Sequence, residues 1–149
     1  GVEGGDAGFL AMLYEIIRDR PDVQRGWLEA ELDAQLFLKD LGNATAVSKM
    51  ADDQTEGMER RTLWASLYGQ NPEAIGGGED KLTLRYVFDD TARRLVTAAT
   101  RFLHGRKVVP NAILRPEAIM DDVAKAVLTS RGLSAPIGFV AEQPDSAYE

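Results

Sequence analysis

Apolar positions along this chain recur at helical spacing over most of its length. Phe9, Leu13, Ile16 and Ile17 predict a first helix that runs to about Arg20, with Asp6 as its cap and Pro21 as its stop. A second helix is predicted from about Asp22, a good N-cap, to Leu41, with Gly42 where a closing glycine belongs. Val23, Trp27, Ala30, Ala34, Phe37 and Leu41 form its main stripe, and Gly26 weakens its first turn. Leu28, Leu32 and Leu36 form a second row that, at roughly 100° per residue, lies nearly opposite the first. A helix apolar on two opposite sides has to be covered on both. It is therefore either the central helix of the fold or part of a subunit interface.

Asn43 to Ala51 predicts a short helix that Asp52-Asp53-Gln54 breaks. Thr55 then caps a helix through Tyr68, with Leu63, Trp64, Leu67 and Tyr68 on one side and Gly69 as its stop. Pro72 and Gly76-Gly77-Gly78 mark residues 70 to 80 as a loop. Leu82, Leu84, Tyr86 and Phe88 alternate as in a strand, yet Leu84, Phe88, Ala92, Leu95, Ala99 and Phe102 keep helical spacing. The expectation is one long helix from about Asp80 to His104, ended by Gly105. Its secure part starts at Asp89 or Asp90, and the only candidate strand partners are Lys107-Val108-Val109 and Ile137-Gly138-Phe139-Val140. A last helix opens at Pro116, buries Ile119, Met120, Val123, Ala124, Val127 and Leu128, and stops at Gly132-Leu133.

These elements predict a mainly α fold, a bundle of five or six helices, with one small β element near residues 82–88 as the open alternative. The expected organisation is a single helical domain over residues 1–133 with a flexible start at 1–7. A loosely ordered C-terminal tail is expected over 134–149.

Composition narrows the function classes. The 149 residues are 44% hydrophobic and 28% charged, which fits one folded domain. A net charge of −7 disfavours non-specific binding to nucleic acid or an anionic membrane. The longest basic cluster is Arg101, His104, Arg106 and Lys107. The absence of cysteine removes disulfides, thiolate nucleophiles and thiolate metal sites, and it suits the cytoplasm. No apolar run approaches the roughly 20 residues of a membrane span. Gly1 to Asp6 lacks the basic and apolar regions of a signal peptide.

Carboxylates are the richest candidate chemistry. Glu29, Asp33 and Asp40 share a stripe of the second helix, and Asp89 and Asp90 come near them if the two long helices pack. The arrangement resembles in kind the all-α nucleotide pyrophosphohydrolases of the MazG type, which hold magnesium with paired acids on two helices. The resemblance implies a magnesium site at Glu29, Asp33, Asp89 and Asp90, where metal-activated water attacks a phosphoanhydride. Glu29 and Asp33 are four apart, however, whereas that family carries Glu-x-x-Glu and Glu-x-x-Asp pairs. The bland alternative is a solvated acidic face with helix caps, and the same holds for Asp52-Asp53 and Asp121-Asp122.

The single histidine, His104, sits where a helix dipole favours a cation rather than beside a nucleophile. Gly76-Gly77-Gly78-Glu79-Asp80-Lys81 is only superficially a phosphate loop, since two acids stand where an anion would lie. Arg60-Arg61 and Arg93-Arg94 are expected to pair with acids or lie along apolar faces. Trp27 and Trp64 read as core, or else as the lining of an apolar interhelical pocket in a small-molecule sensor.

The leading expectation is a non-catalytic helical protein–protein interaction or regulatory module that self-associates through Leu28, Leu32 and Leu36, without a cofactor. Its partner is a protein, first of all a second copy, and neither nucleic acid nor membrane.

Overall fold

The structure, a computed structural model, describes residues 10–70 and 80–148. Six helices are present among them: α1 (Tyr14–Asp19), α2 (Pro21–Lys39), α3 (Ala44–Gln54), α4 (Arg60–Leu67), α5 (Asp90–Gly105) and α6 (Asp122–Ser130). Two strands, β1 (Asp80–Leu84) and β2 (Gly138–Ala141), complete a mainly α fold with one small β element. The expected cap at Asp6, the flexible start at 1–7 and the glycine loop at 76–78 lie outside the described residues. The chain divides into two compact units, with a boundary inside α2. The first comprises Gly1–Leu28 and Val87–Gly132, the second Glu29–Tyr86 and Leu133–Glu149.

The second unit has a core. Leu32, Ala44, Leu63, Trp64, Tyr68, Leu84, Ile137 and Val140 are buried in it, and α3 packs on α4. Lys49 pairs with Asp53 one turn on at 2.8 Å, so α3 continues through the residues expected to break it. α4 starts four residues later than expected, with Glu59 rather than Thr55 at its N-cap. Gly57, at φ +82°, adopts the left-handed conformation and interrupts helix formation there.

The stretch expected as one long helix from Asp80 is instead strand, corner and helix. Residues 80–84 pair antiparallel with β2, matching Leu82 to Val140, Thr83 to Phe139 and Leu84 to Gly138. Ile137 N–H donates to Leu84 O at 2.9 Å and extends the pairing. Tyr86 takes φ +62°, which stops helical continuation, and Asp89 Oδ1 accepts from Ala92 N–H at 2.8 Å to cap α5. The region expected as a loose tail thus supplies β2 and two core side chains, Ile137 and Val140. Gly138 has φ +128°, and a Cβ there would lie 2.7 Å from Lys39 Nζ, so the ladder needs glycine at this point.

The first unit is built differently. Leu13 is extended, so α1 covers only the last six residues of the helix expected there. Pro116–Ala118 is a separate 3-10 turn, and α6 begins only at Asp122. Gly132 follows α6 at φ +67°, the left-handed stop that its sequence position predicted. Ala124, Val127 and Leu128, all on α6, are the buried apolar side chains described in this unit.

Candidate functional site

Among its described residues the first unit leaves ten large apolar side chains exposed: Leu10, Leu13, Tyr14, Val23, Trp27, Phe102, Leu103, Val108, Ile113 and Met120. Sixteen residues of α5 carry no buried side chain at all. Its first turns half-bury Ala92, Leu95 and Val96, but its last turns carry Phe102, 63% exposed, beside Leu103. The chain then turns on Lys107 at φ +61°, with Val108 N–H donating to Leu103 O at 2.9 Å, and presents Val108. Ile113 follows at 77% exposure. A second patch joins the exposed Tyr14 and Met120 to the half-buried Ile119 and Val123, which line a shallow groove with Pro116, Glu117 and Asp122.

The two sides of α2 are the reverse of the sequence expectation. Leu32 is 0% exposed and Leu28 and Leu36 are half-buried, so the row assigned to a partner contact faces protein within its own chain. Every member of the main stripe is exposed: Val23 and Trp27 (56%) in the first unit, and Ala30, Ala34, Phe37 and Leu41 in the second.

Glu29 and Asp33 belong to the second unit, Asp89 and Asp90 to the first. Among the described residues no group of three or more His, Asp or Glu could hold a metal ion. Asp89 is the α5 cap, and Asp40 accepts from Gly42 N–H at 3.0 Å to cap the turn after α2. His104 is exposed in the last turn of α5, with Nδ1 3.3 Å from Val109 O.

Asp121 departs most from its expected solvent position. Its side chain is 7% exposed and bridges Arg93 Nη2 at 2.8 Å and Lys125 Nζ at 2.9 Å. Arg93 Nε also donates to Phe88 O at 3.2 Å. This cluster ties α5 to α6 and makes up for part of the apolar core that the first unit lacks. Arg93 also lines an open groove along α5 with Asp90, Arg94, Thr97, Ala98 and Arg101.

The two tryptophans lie in different units and in opposite environments. Trp64 is 2% exposed, with Tyr68 and Tyr148 at ring distances of 6.5 and 5.6 Å. Tyr68 is fully buried and donates its hydroxyl to Leu38 O at 3.0 Å, and burial pushes its pKa up to about 12. Neither tryptophan lines the two grooves above.

Sequence reasoning missed the socket for Tyr148. Arg60 Nε donates to its hydroxyl at 3.3 Å, and the Arg60 and Arg61 guanidinium carbons lie 5.9 and 5.3 Å from its ring centre. Arg61 also reaches Asp145 at 3.5 Å. The signals were an arginine pair and an acidic stretch with one aromatic, but nothing in the sequence joins residues so far apart.

No helix among the described residues is long and apolar enough to cross a membrane. No protein-family model matches the chain, and neither curated proteins nor solved structures gave a match.

Proposed function

We propose that this chain is a non-catalytic helical interaction module that self-associates, and that the contact lies on the exposed apolar side chains of the first unit. One observation carries the reading. Among its described residues that unit buries three apolar side chains, Ala124, Val127 and Leu128, while ten large ones face solvent. Scattered exposed apolar residues are ordinary, but an imbalance this large marks a surface that gains by being covered. The amphipathic last turns of α5, with Phe102 and Leu103, are its centre. An aromatic anchor of this kind carries much of the energy of an interface.

The interface first assigned to Leu28, Leu32 and Leu36 moves with this reading to Phe102, Leu103 and Trp27. Light scattering across the micromolar range tests it. A mass that rises with concentration above the 16.3 kDa of one chain is expected. A constant mass of one chain throughout that range overturns self-association.

A further inference from the structure

Charge is unevenly spread over the first unit. No Asp or Glu lies between Thr91 and Pro116, a stretch that carries Arg93, Arg94, Arg101, Arg106, Lys107 and Arg115. That is the reverse of the chain as a whole, whose net charge is −7. The end of α5 combines this basic character with apolar side chains. Phe102, Leu103 and Val108 are exposed, and so are Arg101, Arg106 and Lys107, which alternate with them along the chain. Backbone bonds hold this corner in shape. Arg106 N–H donates to Phe102 O at 3.0 Å, and Lys107 N–H to His104 O and Val108 N–H to Leu103 O at 2.9 Å. A corner fixed by its own backbone has less freedom to lose on contact.

The groove of Tyr14 and Met120 on the same unit is its counterpart. Ile119 and Val123 complete the apolar floor, and the charged residues that line it are Glu117 and Asp122. Ala118 N–H donates to Arg115 O at 2.9 Å and Ile119 N–H to Pro116 O at 3.2 Å, so this side is also set by its backbone. Met120 supplies a side chain that adapts its shape and favours an aromatic ring. Among the described residues neither of these two acids, and none of Arg101, Arg106 and Lys107, has an ion-pair partner.

We propose that this groove receives the α5 corner of a second copy, with Phe102, Leu103 and Val108 on its apolar floor and the three bases against Glu117 and Asp122. This deepens the self-association reading and rests on it. Both surfaces stand open in their own chain, so the corner does not fill the groove beside it. Charge then selects the pairing. Copies that each carry −7 repel one another on average, and a contact between them forms where the sign inverts locally. Corner against corner sets base on base, and groove against groove sets acid on acid. Corner in groove joins opposite charges around an apolar centre, which is the general plan of an interface. Because the two surfaces differ, the contact either closes reciprocally or as a ring, or it continues from copy to copy.

Charge reversal tests the pairing between copies. Glu117→Lys with Asp122→Lys makes the groove basic, and Arg101→Glu with Arg106→Glu makes the corner acidic. Each double variant alone should associate roughly tenfold more weakly than the wild type in light scattering, because like charges now meet. Mixed in equal amounts, the two variants offer an acidic corner to a basic groove and an unaltered corner to an unaltered groove. Association of the mixture should return to near the wild-type level. Wild-type association of the groove variant alone, or no recovery in a mixture of two folded variants, overturns the pairing and leaves self-association standing. A wild-type mass that stays at one chain removes both. Asp122 opens α6, so circular dichroism checks each variant. Should the groove variant lose helix, Met120→Glu decides, since Met120 is 47% exposed. Weaker association at unchanged helix content supports the pairing, and unchanged association overturns it.

Discussion

The two units of this chain contain similar kinds of helix but bury very different amounts of apolar surface. The second closes around Leu32, Leu63, Trp64, Tyr68, Leu84, Ile137 and Val140, drawn from both helices and strands. The first closes around one face of α6, and its longest complete helix, α5, buries nothing fully. What pins α5 is polar, the pairing of Arg93 and Lys125 with Asp121. An apolar core stabilises in proportion to buried area, whereas an ion pair open on one side contributes about 1 kcal/mol or less. The contrast is between a unit held by an apolar core and one whose long helix is tied down by charge.

The sharpest way to break this comparison is to put the same charge on each side of it. Leu32→Glu buries a carboxylate where no side chain is exposed, and should destabilise by more than about 4 kcal/mol. Loss of the cooperative transition in circular dichroism is the expected result. A folded, dissociated Leu32→Glu protein would return Leu32 to the interface and undo the assignment of the two faces of α2.

A second, smaller effect comes from Tyr68. Its folded pKa of about 12 lies above the ordinary value of 10, so the folded chain holds the phenol neutral. Below pH 10 both states are neutral and the contribution is complete. As pH rises from 10 towards 12 the unfolded phenol ionises first, and stability should fall by on the order of 2 kcal/mol. Urea midpoints across that window check the slope, and Tyr68→Phe should lack this component of it. An equal slope in Tyr68→Phe would assign the loss to other groups.

In the first unit the largest polar effect is Asp121→Ala. It removes a shared acceptor and leaves two cations that can partly rehydrate, so a loss of roughly 1–3 kcal/mol is expected. Chemical denaturation measures it. A change of only a few tenths would mean that the first unit does not depend on its polar tie.

How much of this was legible depends on the range of the interaction. Helical spacing, the Asp89 cap and the Gly132 stop are local, and the sequence displays them directly. The faces of α2 were half legible: the spacing reveals two apolar rows, but which is covered depends on volumes packed from elsewhere. β1 was ambiguous because its partner, β2, lies more than fifty residues on, while a helix competes for Leu84 and Phe88 with local contacts alone. Asp121 looked like one acidic doublet among several, since only the fold brings Arg93 to it. Tyr148 was hidden in the same way, because its socket on α4 is distant in sequence.

The smallest effect on stability is the one that tests function most directly. Phe102→Glu changes a side chain that is 63% exposed in the last turns of α5 and makes no buried contact to lose. A surface substitution of this type shifts stability by within about 0.5 kcal/mol. At an interface centre, however, it places a charge where an apolar anchor is covered, and truncating or charging such an anchor costs about 2 kcal/mol or more of association. That corresponds to roughly a thirtyfold weaker complex. Light scattering and thermal unfolding on the same sample therefore separate the two roles. Weakened association with an unchanged midpoint assigns the first unit to the contact. Full association moves the contact away from α5. A lowered midpoint would instead make Phe102 a structural residue and dissolve the contrast between the two units.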